Sequence, residues 1–382
     1  MNWTLGQVPA RFTTFIIFGV EALKSRKFTR RSTLGLMGAG AILPALATPS
    51  IAQENIEWRM VTSWPKNLPG PGITAQRLAD RISALSGGRL TVKLYAAGEL
   101  VPGLGTFDAV AGGTAQMAHS APLFWSRKFS AAPLFTAAPF GLTPIEHITW
   151  ITHGGGQELW DELYKSSGIK PFMAGNTGYQ MGGWYKKPLK SLDDLKGLKI
   201  RMPGLGGAVM TKLGAVPVGL PPSEIFTSLK TGVIDATEFL GPFSDSAMGF
   251  HKVAKHYYSP GFHEPNGTGE ALVSMEALQA LPVDLQEIVK AACAQENIFS
   301  LGEAEWSNAT ALENLVENEG VELRQYPDEI IAAAKGFTVE VMEELAAKDE
   351  LTARIVASYS GAAKHLDPWS KISIKAFLAS RG

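Results

Sequence analysis

The chain has 382 residues, 45% of them hydrophobic and 19% charged, which is the composition of an ordinary globular protein and excludes a disordered one. With 35 basic and 36 acidic residues the formal net charge is −1, so there is no basic footprint for nucleic acid. The single cysteine, Cys293, lies in an apolar helical context, reads as a small buried hydrophobe and cannot make an internal disulfide.

Residues 1–52 read as a signal peptide. Lys24, Arg26, Lys27, Arg30 and Arg31 form a positive region, Leu34 to Ala47 is modestly apolar, and Ser50 and Ala52 precede Gln53 as a cleavage point. The adjacent Arg30 and Arg31 resemble the twin-arginine class, which exports folded proteins. The apolar run is too short and too rich in Gly and Ala for a comfortable membrane span, so an anchor is the weaker reading. The mature protein is therefore expected in the periplasm, with about 330 residues, enough for two lobes.

In the mature part, Ile56 to Thr62 alternates like a strand and ends in Ser63-Trp64-Pro65. Ile73, Leu78, Ile82 and Leu85 have helical spacing, and Ser86-Gly87-Gly88 stops that helix. Leu90 to Tyr95 is a second strand, a helix begins at Phe107, and Gln116 to His119 is a third strand. This rhythm predicts a parallel sheet with helices packed on it, and it restarts at Ile169. From Met275 onward the chain reads as mostly helical, interrupted by strand-like Val321-Glu322-Leu323.

The residues that carry chemistry cluster between Gly178 and Asp245. Arg201 ends a short apolar run and is followed by Met202-Pro203-Gly204. A guanidinium at such a turn can clamp a carboxylate, since its fork matches two oxygens; the competing reading is an ion pair with Asp193 or Asp194. Glu238 sits at a similar junction with Ala236, Phe239, Leu240 and Pro242 for company, and a carboxylate buried there needs a cation. Gln180 precedes both in a Gly-rich aromatic turn. All three follow strand-like runs, so they are expected at the carboxyl ends of strands, where open parallel sheets bind ligands. Glu264 is either a further oxygen ligand or the partner of a nearby lysine. Phe124 and Trp125 are candidate cleft walls. His153-Gly154-Gly155-Gly156 has the look of a hydrolase oxyanion string, but no G-x-S-x-G elbow follows it, and no P-loop, HExxH or CxxC is present.

Three segments, 94–118 (LYAAGELVPGLGTFDAVAGGTAQMA), 178–204 (GYQMGGWYKKPLKSLDDLKGLKIRMPG) and 229–245 (LKTGVIDATEFLGPFSD), resemble the periplasmic solute-binding subunits of TRAP transporters, in the branch that takes 2-oxo and 2-hydroxy acids. The resemblance covers Trp58 to about Leu345. It implies an α/β clamp of two lobes, mixed sheets flanked by helices, with long hinge and C-terminal helices. The expected division is 53–178 plus about 238–265 for lobe 1, 179–237 plus 266–345 for lobe 2, and a C-terminal helical segment at 346–382. It implies a non-enzymatic receptor in which Arg201 grips a small monocarboxylate beside Gln180, with Phe124 and Trp125 as the candidate walls read from the residues themselves. A metal cation would be shared by Gln180, Glu238, the backbone oxygen of Phe239 and, if it turns inward, Glu264. Without Glu264 the charge count suits Na⁺, slightly favoured here; with it, Ca²⁺. The implied partners are the TRAP membrane permease subunits and a second copy of the chain docked through C-terminal helices. The same clamp could instead serve a periplasmic sensor or chemoreceptor adaptor.

Overall fold

The computed structural model describes residues 55–381; the expected signal peptide and its cleavage point lie outside the described residues. Two sheets organise the described chain. The first begins with β1 (Ile56–Thr62), β2 (Leu90–Tyr95), β3 (Met117–Ser120) and β4 (Ile169–Asn176). The second is built from β5 (Gly183–Tyr185), β6 (Lys199–Arg201), β7 (Val216–Pro217), β8 (Ala236–Thr237) and β9 (His256–Ser259). The chain then returns to the first sheet as β10 (Thr268–Ser274) and ends its strands in the second as β11 (Glu322–Gln325).

The strand order is β2-β1-β3-β10-β4 in one sheet and β11-β9-β5-β8-β6-β7 in the other. β1 runs parallel to β2 and β3, as the strand–helix rhythm predicts, but β10 is antiparallel to β3 and β4, so the sheet is mixed. This pairing corrects the expected lobe boundaries. β9 lies in the second sheet although 238–265 was expected in lobe 1, and β10 lies in the first although 266–345 was expected in lobe 2. The reason is register: β10 supplies hydrogen-bond partners that β3 and β4 would otherwise lack on their facing edges.

Local sequence explains the elements. The helix Pro71–Leu85 starts with Pro71 at its first turn and buries Ala75, Leu78, Ala79 and Ile82 on one face. Leu78 and Ile82 are fully buried against the first sheet, each stabilising the fold by about 1.5–3 kcal/mol. Cys293 is buried in the same core, as its context predicts.

Three stretches cross between the sheets: residues 177–182, residues 260–267, and the helix Val283–Glu317, whose 35 residues span about 52 Å. The first two lie against each other, with Gly261 N donating to Gln180 O at 3.1 Å and Thr177 N to Gly267 O at 3.0 Å. Glycine is required at both contacts. A Cβ on Gly261 would sit 2.3 Å from Gln180 O, and one on Gly267 would sit 1.9 Å from Thr177 Oγ1. A fourth link comes from the loop after β1. Leu68 is buried in the second core with Trp184, Phe239 and Leu240, and Ser244 Oγ donates to Pro69 O at 2.9 Å. The two halves are thus closed on each other, and the C-terminal helices Asp328–Ala346 and Glu350–Ser370 pack into a core that spans both sheets, from Val61 and Phe107 to Tyr185, Ile200 and Tyr258.

Candidate functional site

The site forms where strands end. Arg201 is the last residue of β6, whose parallel register with β8 places Arg201 opposite Thr237. Glu238 is the next residue, and its backbone N–H donates to Arg201 O at 3.0 Å. Two positions 37 residues apart in sequence thereby face each other at the carboxyl edge of one sheet. Arg201 Nη1 donates to Glu238 Oε1 at 2.5 Å and to Glu238 O at 3.0 Å, with both side chains buried. The ion-pair alternatives are taken elsewhere: Asp194 caps the turn at Ser191, and Asp193 pairs with Lys196.

Gln180 and Glu264 sit on the two crossing stretches. Gln180 Nε2 donates to Glu264 Oε2 at 3.0 Å and to Thr177 Oγ1 at 3.1 Å. Glu264 is therefore held by an amide, not by a lysine. Burial is the main influence on its carboxyl, pushing its pKa well above the usual carboxylate range; the charge of Glu238 adds to this and Arg201 opposes it. Among the described residues that line the cavity, two buried side-chain atoms have no partner: Arg201 Nε, an N–H donor, and Gln180 Oε1, an acceptor. An unpaired buried polar group costs about 1–3 kcal/mol, so both are positioned for something the chain itself does not supply.

Arg201, Glu238, Phe239, Gln180 and Glu264 all line one cavity. The cavity has a volume of about 50 Å³, enough for a small organic molecule or roughly four waters at ~10–15 Å³ each. The opposite wall is apolar, with Trp64, Leu123 and Phe124, and Phe124 packs on Trp64 with ring centroids 5.9 Å apart. The oxygen-rich end suits a hard cation, since Gln180 Oε1 is free and oxygens of Glu238 and Glu264, with a nitrogen of His263, lie within 4.8 Å of one another.

Trp125 is not in that wall. The turn Pro122–Trp125 sends consecutive side chains to different sides, so Phe124 faces the cavity while Trp125 is buried against Phe107. Its indole N–H needs a buried acceptor and finds Glu270 Oε1 at 2.5 Å. The expectation that Trp125 contacts substrate is corrected on this ground. The glycine string 153–156 ends one helix and begins the next, and none of its residues line the cavity.

Other residues at the site escaped the sequence reading. His263 Nε2 lies 3.1 Å from Glu238 Oε2. Asn176 lines the cavity and donates to Asn266 Oδ1 at 2.8 Å, while its own Oδ1 accepts from Gly178 N at 2.9 Å. His119 accepts from Trp64 Nε1 through Nδ1 at 2.8 Å, and its burial lowers its pKa to about 4. Ser300, Glu303 and Asn308 bring the long helix to the mouth. Trp64 did carry a signal, because Ser63-Trp64-Pro65 marks the end of the first strand.

Two sheets joined by paired crossings and a long helix, closing on a small cavity with a free guanidinium edge and a free amide oxygen, define a ligand-binding clamp. Among the described residues, no helix is long and apolar enough to cross a membrane. Residues 61–349 match the family model for bacterial extracellular solute-binding proteins, family 7, and the chain belongs to that family. It is 40% identical over 319 residues to a monocarboxylate 2-oxoacid-binding periplasmic protein of Nostoc sp., covering 84% of this chain and 87% of the relative. Its fold is similar to that of a TRAP periplasmic solute binding protein from Pseudoalteromonas atlantica crystallised with bound sodium and pyruvate, with TM-score 0.83, 38% identity, and 85% and 99% of the two chains covered. It is likewise similar to one from Colwellia psychrerythraea with bound calcium and pyruvate, at TM-score 0.83 and 37% identity over 85% of this chain and 99% of that one.

Proposed function

We propose that this chain is the periplasmic receptor of a TRAP transporter and captures a small 2-oxo or 2-hydroxy monocarboxylate together with a metal cation. The observation that carries the reading is the pair of unpartnered buried atoms on one cavity, Arg201 Nε and Gln180 Oε1. Arg201 has already committed Nη1 to Glu238, so its Nε–Nη2 edge remains to take both oxygens of a carboxylate. Gln180 Oε1, Glu238, Glu264 and the Phe239 carbonyl are the oxygens that would hold a cation. The cation would offset the negative charge that the acid adds to a buried site.

The charge balance selects between ions. With Glu264 protonated, the acid, Glu238 and Arg201 sum to −1, which Na⁺ neutralises. With Glu264 ionised the sum is −2, which suits Ca²⁺. Phe124 forms part of the wall that meets the acid's apolar end.

We also assign the twin-arginine route to export, the TRAP membrane permease as the acceptor of the ligand, and a homodimer through the C-terminal helices. The exposed Trp369, Ile372, Phe377 and Leu378 support the last of these. Light scattering should give a dimer for the mature chain and a monomer for one ending at residue 366; two monomers would reject it. For the central reading, calorimetry of pyruvate into the dialysed protein should give saturable heat with calcium or sodium that EDTA and sodium-free buffer abolish. No heat with any small 2-oxo or 2-hydroxy acid would overturn it.

A further inference from the structure

Glu238 is held from both sides. Arg201 engages Oε1, and His263 Nε2 lies 3.1 Å from Oε2. His263 is on the second crossing, next to Glu264, with its side chain 0% exposed, and it does not line the cavity. Its other ring nitrogen, Nδ1, has no partner, so Glu238 is the only group its side chain hydrogen-bonds among the described residues, while one of its nitrogens also lies within 4.8 Å of a Glu264 carboxylate oxygen. An apolar side chain would fill a fully buried position without leaving a nitrogen unpaired. A histidine there has one polar task, and that task is Glu238.

The packing around the ring supports the same conclusion. Gly206 lies in the first turn of the helix Gly204–Lys212, and a Cβ there would come within 2.8 Å of His263 Cβ. The glycine leaves room for the histidine to approach the strand edge. Arg201 alone would hold Glu238 by one oxygen and leave the carboxylate free to turn fully onto the guanidinium. That rotation would remove an oxygen from the cation position and cover the edge that takes the acid.

We infer that His263, seated against Gly206, is a positioning residue that fixes the Glu238 carboxylate toward the cation and so sets cation affinity without touching cation or acid. The inference rests on the function proposed above. Outer partners of metal-binding carboxylates typically change metal affinity about 10–100-fold when removed.

The test is calorimetric titration of calcium chloride into EDTA-dialysed mature protein saturated with pyruvate, for the wild type, His263→Leu and His263→Gln. Circular dichroism establishes that each variant is folded. The leucine variant should bind calcium about 10–100-fold more weakly. The glutamine variant, whose amide N–H reaches the place of Nε2, should return to within about threefold of wild type. Pyruvate affinity measured at saturating calcium should change less than about threefold in both, because Arg201 still meets the carboxylate. Calcium affinity unchanged in folded His263→Leu, or a folded glutamine variant as weak as the leucine one, would overturn the inference while leaving the clamp intact. A wild-type protein that takes up neither calcium nor sodium beside pyruvate would instead overturn the parent reading, and this inference with it.

Discussion

Replacing Arg201 separates the two roles that its position combines. Toward the ligand it offers the Nε–Nη2 edge, and each charge-assisted hydrogen bond contributes about 1.5–3 kcal/mol. Arg201→Lys keeps the charge but offers a point in place of a fork, so about one such bond is lost, a 10- to 150-fold drop in affinity. Arg201→Ala loses both bonds, about 3–6 kcal/mol, and measurable binding with them. Toward the protein, Arg201 neutralises Glu238 in a pair whose side chains are only 3% and 1% exposed. Alanine therefore strands a buried carboxylate and should also cost about 3–5 kcal/mol of stability. The double variant Arg201→Ala/Glu238→Gln removes that charge, so its melting temperature should recover while binding does not. Calorimetry with pyruvate at saturating calcium and thermal melting of the ligand-free proteins read the two effects apart. A folded Arg201→Lys variant with affinity within about threefold of wild type would refute the clamp argument.

Three further outcomes follow from the same geometry. Glu264→Gln keeps an oxygen near Gln180 but cannot ionise, so it should shift preference from calcium toward sodium; competition calorimetry that finds an unchanged ratio would reject the charge count. Glu270, buried beneath Trp125, has its pKa raised by burial to about 8. The native state thus keeps a proton that the unfolded chain releases, a stabilisation present below the unfolded carboxyl value and lost as pH rises through about 8. Glu270→Gln retains the bond to Trp125, and its stability should fall less than the wild type's between pH 5 and pH 8 in urea titrations; identical slopes would contradict this. Leu68→Ala empties the contact by which the loop after β1 enters the second core, a loss of up to about 2–5 kcal/mol. Since that contact belongs to the closed clamp, acid affinity should fall at least about tenfold, and unchanged affinity would show that closure does not depend on it.

The parts legible in the sequence are those fixed by local pattern. Arg201 and Glu238 were readable because each follows a short apolar run that is a strand, and a strand end is where a turn exposes a polar side chain to a cleft. The helix ending at Leu85 was readable from its spacing and its glycines. What was lost depends on long-range pairing. Nothing in Thr268–Ser274 says that it leaves the sheet of its immediate predecessors to pair between β3 and β4. Phe124 and Trp125 are adjacent aromatics in a tight turn, where neither helix nor strand periodicity tells which one faces the cavity; the buried carboxyl of Glu270, 145 residues away, decides it. His263 and Leu68 were missed for the same reason, since their partners are near only after the two sheets close.

The most direct measurement is a crystal structure of the mature protein grown with calcium and pyruvate, with the ion located by anomalous scattering. The expected result is an ion about 2.3–2.6 Å from Gln180 Oε1, a Glu238 oxygen and the Phe239 carbonyl, sharing a pyruvate whose carboxylate lies on Arg201. Pyruvate bound with its carboxylate away from Arg201, or an ion held by none of these oxygens, would contradict the account.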